Sequence, residues 1–216
     1  MALIRSAYQD ELDGVSQSLV DLTSMVTASM VKASKAVQTA DLALAEEVIA
    51  SDIKIDDYQH ELDARIIDII ARQQPVASDL RALVTAMRMS ADLERMGDLA
   101  HHIAKVARLR HPERAIPESL ILPFTEMGHV AEKLSIMVAA VITTRDTEMA
   151  LQVEKDDDEM DDLHKKVIAT IIKDDSGLSL ESAIDLTLLG RYYERYADHA
   201  VSVARRVYFL VTGTFA

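Results

Sequence analysis

Apolar residues recur at spacings of three and four along almost the whole chain. Leu12, Val15, Leu19, Leu22, Val26, Met30, Ala33 and Val37 form one such stripe, which predicts an amphipathic helix from about Tyr8 to Gln38. Val48, Ile55, Leu62, Ile66 and Ile69 predict a second, from Leu42 to Gln74. Asp41 is placed to cap its start, and Pro75 ends it by pushing the preceding residue out of the α region. Met89, Leu93, Met96, Ala100, Ile103 and Ala107 predict a third, from about Ser78 to Arg110. The only proline-rich stretch, His111-Pro112-Glu113-Arg114-Ala115-Ile116-Pro117, then reads as a linker. Beyond it the plan repeats, with helices predicted over Ser119–Thr144, Glu148–Lys173 and Leu180–Val211. A turn at Asp174-Asp175-Ser176-Gly177 joins the last two, with Gly177 as a natural C-cap. No strand-like alternation persists, so the fold class is all-α. The short joints predict two tandem antiparallel three-helix bundles, over residues 1–113 and 114–216.

The repeat holds in register. Asp52, Asp56 and Asp57 recur as Asp157, Asp161 and Asp162 at an offset of 105 residues, and Asp41 recurs as Asp146 at the same offset. In the third helix of each half, Glu94-Arg95-Met96-Gly97-Asp98 recurs as Glu194-Arg195-Tyr196-Ala197-Asp198 at an offset of 100. The difference reflects a shorter connection between the last two helices. Matching acid pairs on corresponding helices imply an internal duplication.

Composition narrows the class further. Hydrophobic residues make up 49% of the 216, with no Trp, six Gly and four Pro, which suits aliphatic helix–helix seams. A net charge of −13 argues against a nucleic-acid partner, which requires a basic footprint, and against anionic membrane surfaces. The absence of Cys excludes thiolate chemistry and is compatible with a reducing compartment. Met1–Asp13 lacks the basic and apolar regions of a signal peptide, and no apolar run reaches the length of a membrane span. The expectation is a soluble cytoplasmic protein.

The acid pairs are the candidate site. Two carboxylates at i and i+4 share a helix face and repel. On a helical wheel, Glu94 and Asp98 lie roughly 140–180° from the seam of the third helix, and Asp52 and Asp56 flank the stripe of the second by roughly 80–120°. With the two helices as antiparallel neighbours, Asp52, Asp56, Glu94 and Asp98 gather in one half, and Asp157, Asp161, Glu194 and Asp198 in the other. Four such carboxylates raise one another's pKa values and call for a cation. Arg95 and Arg195 inside the motifs are one answer. A bound metal is the other: oxygen ligation without thiolate favours Mg²⁺, Mn²⁺ or iron over a structural zinc site, with the metal's identity, Zn included, left open. His60, His101, His102, His164 and His199 stand within four residues of these acids and are further candidate ligands. Two other classes compete. A di-iron oxidase builds its centre from repeated Glu-x-x-His pairs, whereas only Glu126 and His129 have that spacing. A plain helical scaffold would use its acids for solubility. No catalytic constellation is visible, so the chain is not expected to be an enzyme.

The doubled motif, Glu94-Arg95-Met96-Gly97-Asp98-Leu99-Ala100 and Glu194-Arg195-Tyr196-Ala197-Asp198-His199-Ala200, resembles the signature of the PhoU family. The ending Val207-Tyr208-Phe209-Leu210-Val211-Thr212-Gly213 is similar to that family's C-terminus. The resemblance spans essentially the whole chain; Tyr192 and Ala197 stand where the first copy has Asp92 and Gly97. It implies a cytoplasmic negative regulator of the phosphate-starvation response, linking the ATPase of a phosphate ABC transporter to a sensor histidine kinase. It further implies metal binding by the Glu/Asp-x-x-x-Asp pairs and a homodimer.

Overall fold

The computed structural model describes residues 2–173 and 177–214, with side chains from residue 8 onward. Its six helices are α1 (Ala2–Thr39), α2 (Leu42–Gln73), α3 (Ala77–Arg110), α4 (Glu118–Thr144), α5 (Thr147–Ile171) and α6 (Leu180–Thr212). The described residues contain no strand. Five of the helices start and stop within about two residues of their expected bounds, and α1 begins six residues earlier. Of the turn expected at Asp174-Asp175-Ser176-Gly177, the first three residues lie outside the described residues; Gly177 has a left-handed backbone with φ of 67°, but it does not cap α5, which ends at Ile171 with Ile172 as its cap.

Local chemistry sets the boundaries. Asp41 accepts a hydrogen bond from the Leu44 amide at 3.0 Å, and Asp146 accepts from Glu148 and Met149 at 2.9 and 3.1 Å. Each thereby satisfies N–H groups that a helix start leaves without partners. The turns before these caps match as well, since Ala40 and Arg145 both adopt a left-handed backbone, with φ of 54° and 56°. Asp52 and Asp157 therefore stand at the same distance past equivalent caps.

Packing divides the helices into inner and outer ones. Within each half all three helices touch, and across the halves α1 packs on α4, α3 on α6. The central four, α1, α3, α4 and α6, bury residues on two sides: α3 has 14 buried residues and α6 has 12. The outer helices α2 and α5 bury single stripes, of seven and five residues. One contiguous core runs through both halves. The two three-helix bundles are thus fused along α1, α3, α4 and α6.

Two tyrosines of α6 tie that centre together. Tyr193 and Tyr196 are fully buried, in positions that Leu93 and Met96 hold in α3. The Tyr193 hydroxyl donates to Ser34 Oγ of α1 at 2.9 Å, and that of Tyr196 lies 2.7 Å from Ser135 Oγ of α4. Ser135 donates its own proton to the Ala131 carbonyl at 2.9 Å, so Tyr196 is the donor in that pair. Burial drives both phenol pKa values up, and the groups stay neutral hydrogen-bond donors.

A buried hydroxyl that loses its partner costs more than the bond itself contributes. Tyr193→Phe and Tyr196→Phe are each expected to lower the free energy of unfolding by about 1–2 kcal/mol, read from urea denaturation curves with unchanged slopes.

Candidate functional site

Two acidic clusters lie in the grooves between each outer helix and its inner neighbour. In the first half, Asp52 and Asp56 of α2 face Glu94 and Asp98 of α3, and the four sense one another electrostatically. Burial, then the charges of Asp52 and Asp98, push the Asp56 pKa up. Burial and Asp98 raise Glu94, with Asp56 and Asp52 adding to it and Arg95 opposing. In the second half, Asp157 and Asp161 of α5 face Glu194 and Asp198 of α6. Burial pushes the Asp157 carboxyl up to about 7, helped by Asp198, Asp161, Asp158 and Glu194. Glu194 is raised by burial and Asp198, against Arg191 and His164.

The close approach of the helices is built into the motif. A Cβ on Gly97 would lie 3.1 and 3.2 Å from methyl carbons of Ile55, so the glycine lets α2 lie against α3 beside the acids. The second copy carries Ala197 there, and the counterpart of Ile55 is Met160; both are buried. An unbranched, flexible thioether gives way to a methyl more readily than a β-branched chain does. The departure from Gly to Ala is therefore matched across the groove.

The cations differ between the clusters. Arg95 pairs with Asp98, as the motif suggests, and His101 Nδ1 pairs with Asp52 across the α2–α3 groove. The other ring nitrogen of His101 is buried and has no hydrogen-bond partner. In the second cluster it is Arg191, not Arg195, that pairs with Glu194. The position of His101 is taken there by Val201, which is buried. Asp157 therefore lacks the imidazole partner that Asp52 has.

The remaining histidines are spread over several roles. His199 lies beside Asp198 in sequence but turns to Asp92 of α3, with Nδ1 at 3.0 Å from its carboxylate. Asp92 also accepts from Ser202 at 2.9 Å and Arg206 at 2.8 Å. Burial would raise its pKa, but these three donors bring it below the usual carboxylate range. At the matching place across the approximate twofold, Tyr192 stacks on His102 with centroids 5.2 Å apart. His164 packs over Gly190, and His60 is exposed near Asp56. Glu126 and His129 sit 4.0 Å apart on the exposed surface of α4, away from both clusters.

As ligands the clusters offer carboxylates whose charge is poorly tolerated, together with an unpartnered imidazole nitrogen in the first. That chemistry fits a hard cation. In the arrangement seen, no three Asp, Glu or His side chains among the described residues converge closely enough to hold an ion. Arg95 and Arg191 occupy Asp98 and Glu194 instead.

An all-α protein of two fused three-helix repeats, each with carboxylates in the groove between its second and third helices, is a well-defined class. The PhoU domain matches residues 19–107 and again 124–207, and the chain belongs to the PhoU family. It is 43% identical over 212 residues to phosphate-specific transport system accessory protein PhoU homolog 2 of Mycobacterium tuberculosis, covering 98% of this chain and all of that one. It is 42% identical to PhoU homolog 1 of Mycobacterium leprae, over 98% of this chain and 96% of the other. The crystal structure of the phosphate transport system regulatory protein PhoU from Streptococcus pneumoniae superposes with a TM-score of 0.88 at 25% identity, over 97% of this chain and 99% of that one.

Two measurements follow from this geometry. Gly97→Ala is expected to destabilise by about 1 kcal/mol, overpacking outweighing the gain in helix propensity, and Ile55→Met in the same chain to restore most of the loss; thermal unfolding of the four variants reads the coupling. For Asp157, the folded pKa of about 7 exceeds the ordinary aspartate value of 3.8, so the native state holds more protons between those values. Metal-free protein should then lose stability as pH rises through that window. Asp157→Asn should flatten the loss and raise the melting temperature at pH 7.5, measured by calorimetry in chelator.

Proposed function

We propose that this protein is a regulatory accessory component of phosphate transport, repressing the phosphate-starvation response while phosphate is plentiful. The observation that carries this reading is the doubled acid motif in its grooves, within a chain that matches the family over almost its full length. Its partners on this reading are the ATPase subunit of a phosphate ABC transporter and the sensor histidine kinase of the regulon. It acts by stoichiometric binding in the cytoplasm, as a homodimer, with no chemistry of its own. No helix among the described residues is long and apolar enough to cross a membrane.

The same reading assigns a divalent or multinuclear metal to each groove. Asp52, Asp56, Glu94 and Asp98 would hold one and Asp157, Asp161, Glu194 and Asp198 the other, with Mg, Mn, Fe and Zn all admissible. A bound cation would supply the positive charge that Arg95 and Arg191 now furnish, and would fix α2 on α3 and α5 on α6. Arg95 and Arg191 are both exposed and can leave their acids at little cost, since surface ion pairs contribute on the order of 1 kcal/mol or less. His101 has a nitrogen available on the side away from Asp52.

Elemental analysis of untagged protein, purified without chelator, tests the metal. Glu94→Ala with Asp98→Ala should remove the first site's metal, and Glu194→Ala with Asp198→Ala the second's; unchanged metal in both double variants would refute the assignment. Deleting the gene should switch on phosphate-starvation genes in phosphate-rich medium, with repression restored by the wild-type chain. Capture of the kinase and the ATPase should weaken as salt screens the acidic surface.

A further inference from the structure

The duplication leaves the two ends of the central four-helix core unlike. At the end where α4 and α6 begin, Phe124 and Leu186 are fully buried, and the linker between the halves adds buried Ile116. The equivalent positions at the other end, where α1 and α3 begin, are Leu19 and Ala86. The place equivalent to Ile116 is Glu11, which is engaged with Arg72 at 2.7 Å instead. Smaller side chains and the missing plug leave a cavity of about 500 Å³. Its inner wall is apolar, formed by Leu19, Leu83, Ala86, Met89, Ile142 and Val207 among others.

Its rim is basic. Arg81 and Arg145 both line the cavity, where the other end has Glu181 and Ala40. Arg81 is held over the ring of Phe209, 5.5 Å from its centroid. Arg145 projects from the left-handed turn that joins α4 to α5. Neither is in an ion pair among the described residues. At the other end Arg110 is neutralised by Glu181 and Asp185. Among the described residues, Asp79 is the only acid on the lining. A local excess of positive charge at the mouth of an apolar cavity stands out in a chain of net charge −13.

Cavities of this size, apolar with a few convergent polar groups, accommodate small molecules rather than water alone. We propose that this cavity binds an amphipathic monoanion, a medium-chain carboxylate whose alkyl chain fills the apolar interior while its head group pairs with Arg81 and Arg145. The two guanidiniums select the charge, because a carboxylate there gains charge-assisted hydrogen bonds that an ammonium cannot form. The site is separate from the acidic grooves and independent of their metal.

Isothermal titration of the full chain with decanoate, below its micelle concentration, tests this, with decylammonium and acetate as controls. Saturable binding of one decanoate, with neither control binding, is the expected result. Arg81→Gln and Arg145→Gln should each weaken it by about tenfold. Ala86→Leu, which installs the residue of the sealed end, should abolish it while the melting temperature holds or rises. Leu19→Phe is the second filling variant should the first lose helicity. No saturable heat, equal binding of decylammonium, or decanoate affinity unchanged in a folded filling variant would each overturn the proposal.

Discussion

The architecture depends on the fact that a three-helix unit of this sequence cannot bury its own apolar surface. α1, α3, α4 and α6 carry apolar residues on two sides, one for their own half and one for the other. Only joining the halves removes the second side from water, and burial of apolar area is the dominant favourable term in folding. The outer helices are under no such demand. With one narrow stripe each, α2 and α5 leave most of their circumference free for charge, and that is where Asp52, Asp56, Asp157 and Asp161 are found. The outer wall of each acidic groove thus follows from which helices are outer, while Glu94, Asp98, Glu194 and Asp198 complete it from the inner helices.

Fusion also exposes each half to selection on different neighbours. In a symmetric pair, a change on α3 would be repeated on α6. In one chain the two can part, and they have. Asp92 collects His199, Ser202 and Arg206 on one side of the α3–α6 contact, while Tyr192 stacks on His102 on the other. Where α3 has Leu93 and Met96, α6 has Tyr193 and Tyr196, each tyrosine tethered by a serine of α1 or α4. Polar contacts of this kind fix register more sharply than apolar packing does, because a buried donor without its acceptor is costly. They lock the halves in one relative arrangement.

Much of this was legible in the sequence. Periodicity located six helices, Asp41 and Asp146 marked the starts of α2 and α5, and the offsets of 105 and 100 paired the acids. Those signals are local or strictly repetitive. What the sequence concealed was the choice of cation. Arg195 has the same motif position as Arg95, yet Arg191 takes its place at Glu194. His199 adjoins Asp198 in sequence and serves Asp92 in space. The His199 pairing depends on which face of α6 meets α3, and such a cross-half contact has no periodic trace. Arg191, three residues before Glu194 on the same helix, was in reach by spacing alone, and side-chain placement selects it over Arg195. The exchange of Gly97 for Ala197 stood in the sequence, but its match in Ile55 and Met160 was hidden until the second helix of each half was laid against the third. Each residue makes sense only beside the partner that lies across the groove.

The unlike cation supply gives the two clusters unlike characters. In the first, His101 and Arg95 together offset Asp52 and Asp98, and the local charge is partly balanced within the fold. In the second, Val201 stands at the place of the imidazole, Arg191 pairs with Glu194, and His164 and Arg205 lie within electrostatic reach of the cluster, while burial and neighbouring carboxylates push the Asp157 carboxyl up to about 7. On the proposed metal reading, a cation entering either groove would displace an arginine, Arg95 from Asp98 or Arg191 from Glu194, and in the second it would also displace the proton of Asp157. One acid motif present twice, with His101 beside the first copy and Val201 at the matching place in the second, is enough to give two clusters with different balances of charge.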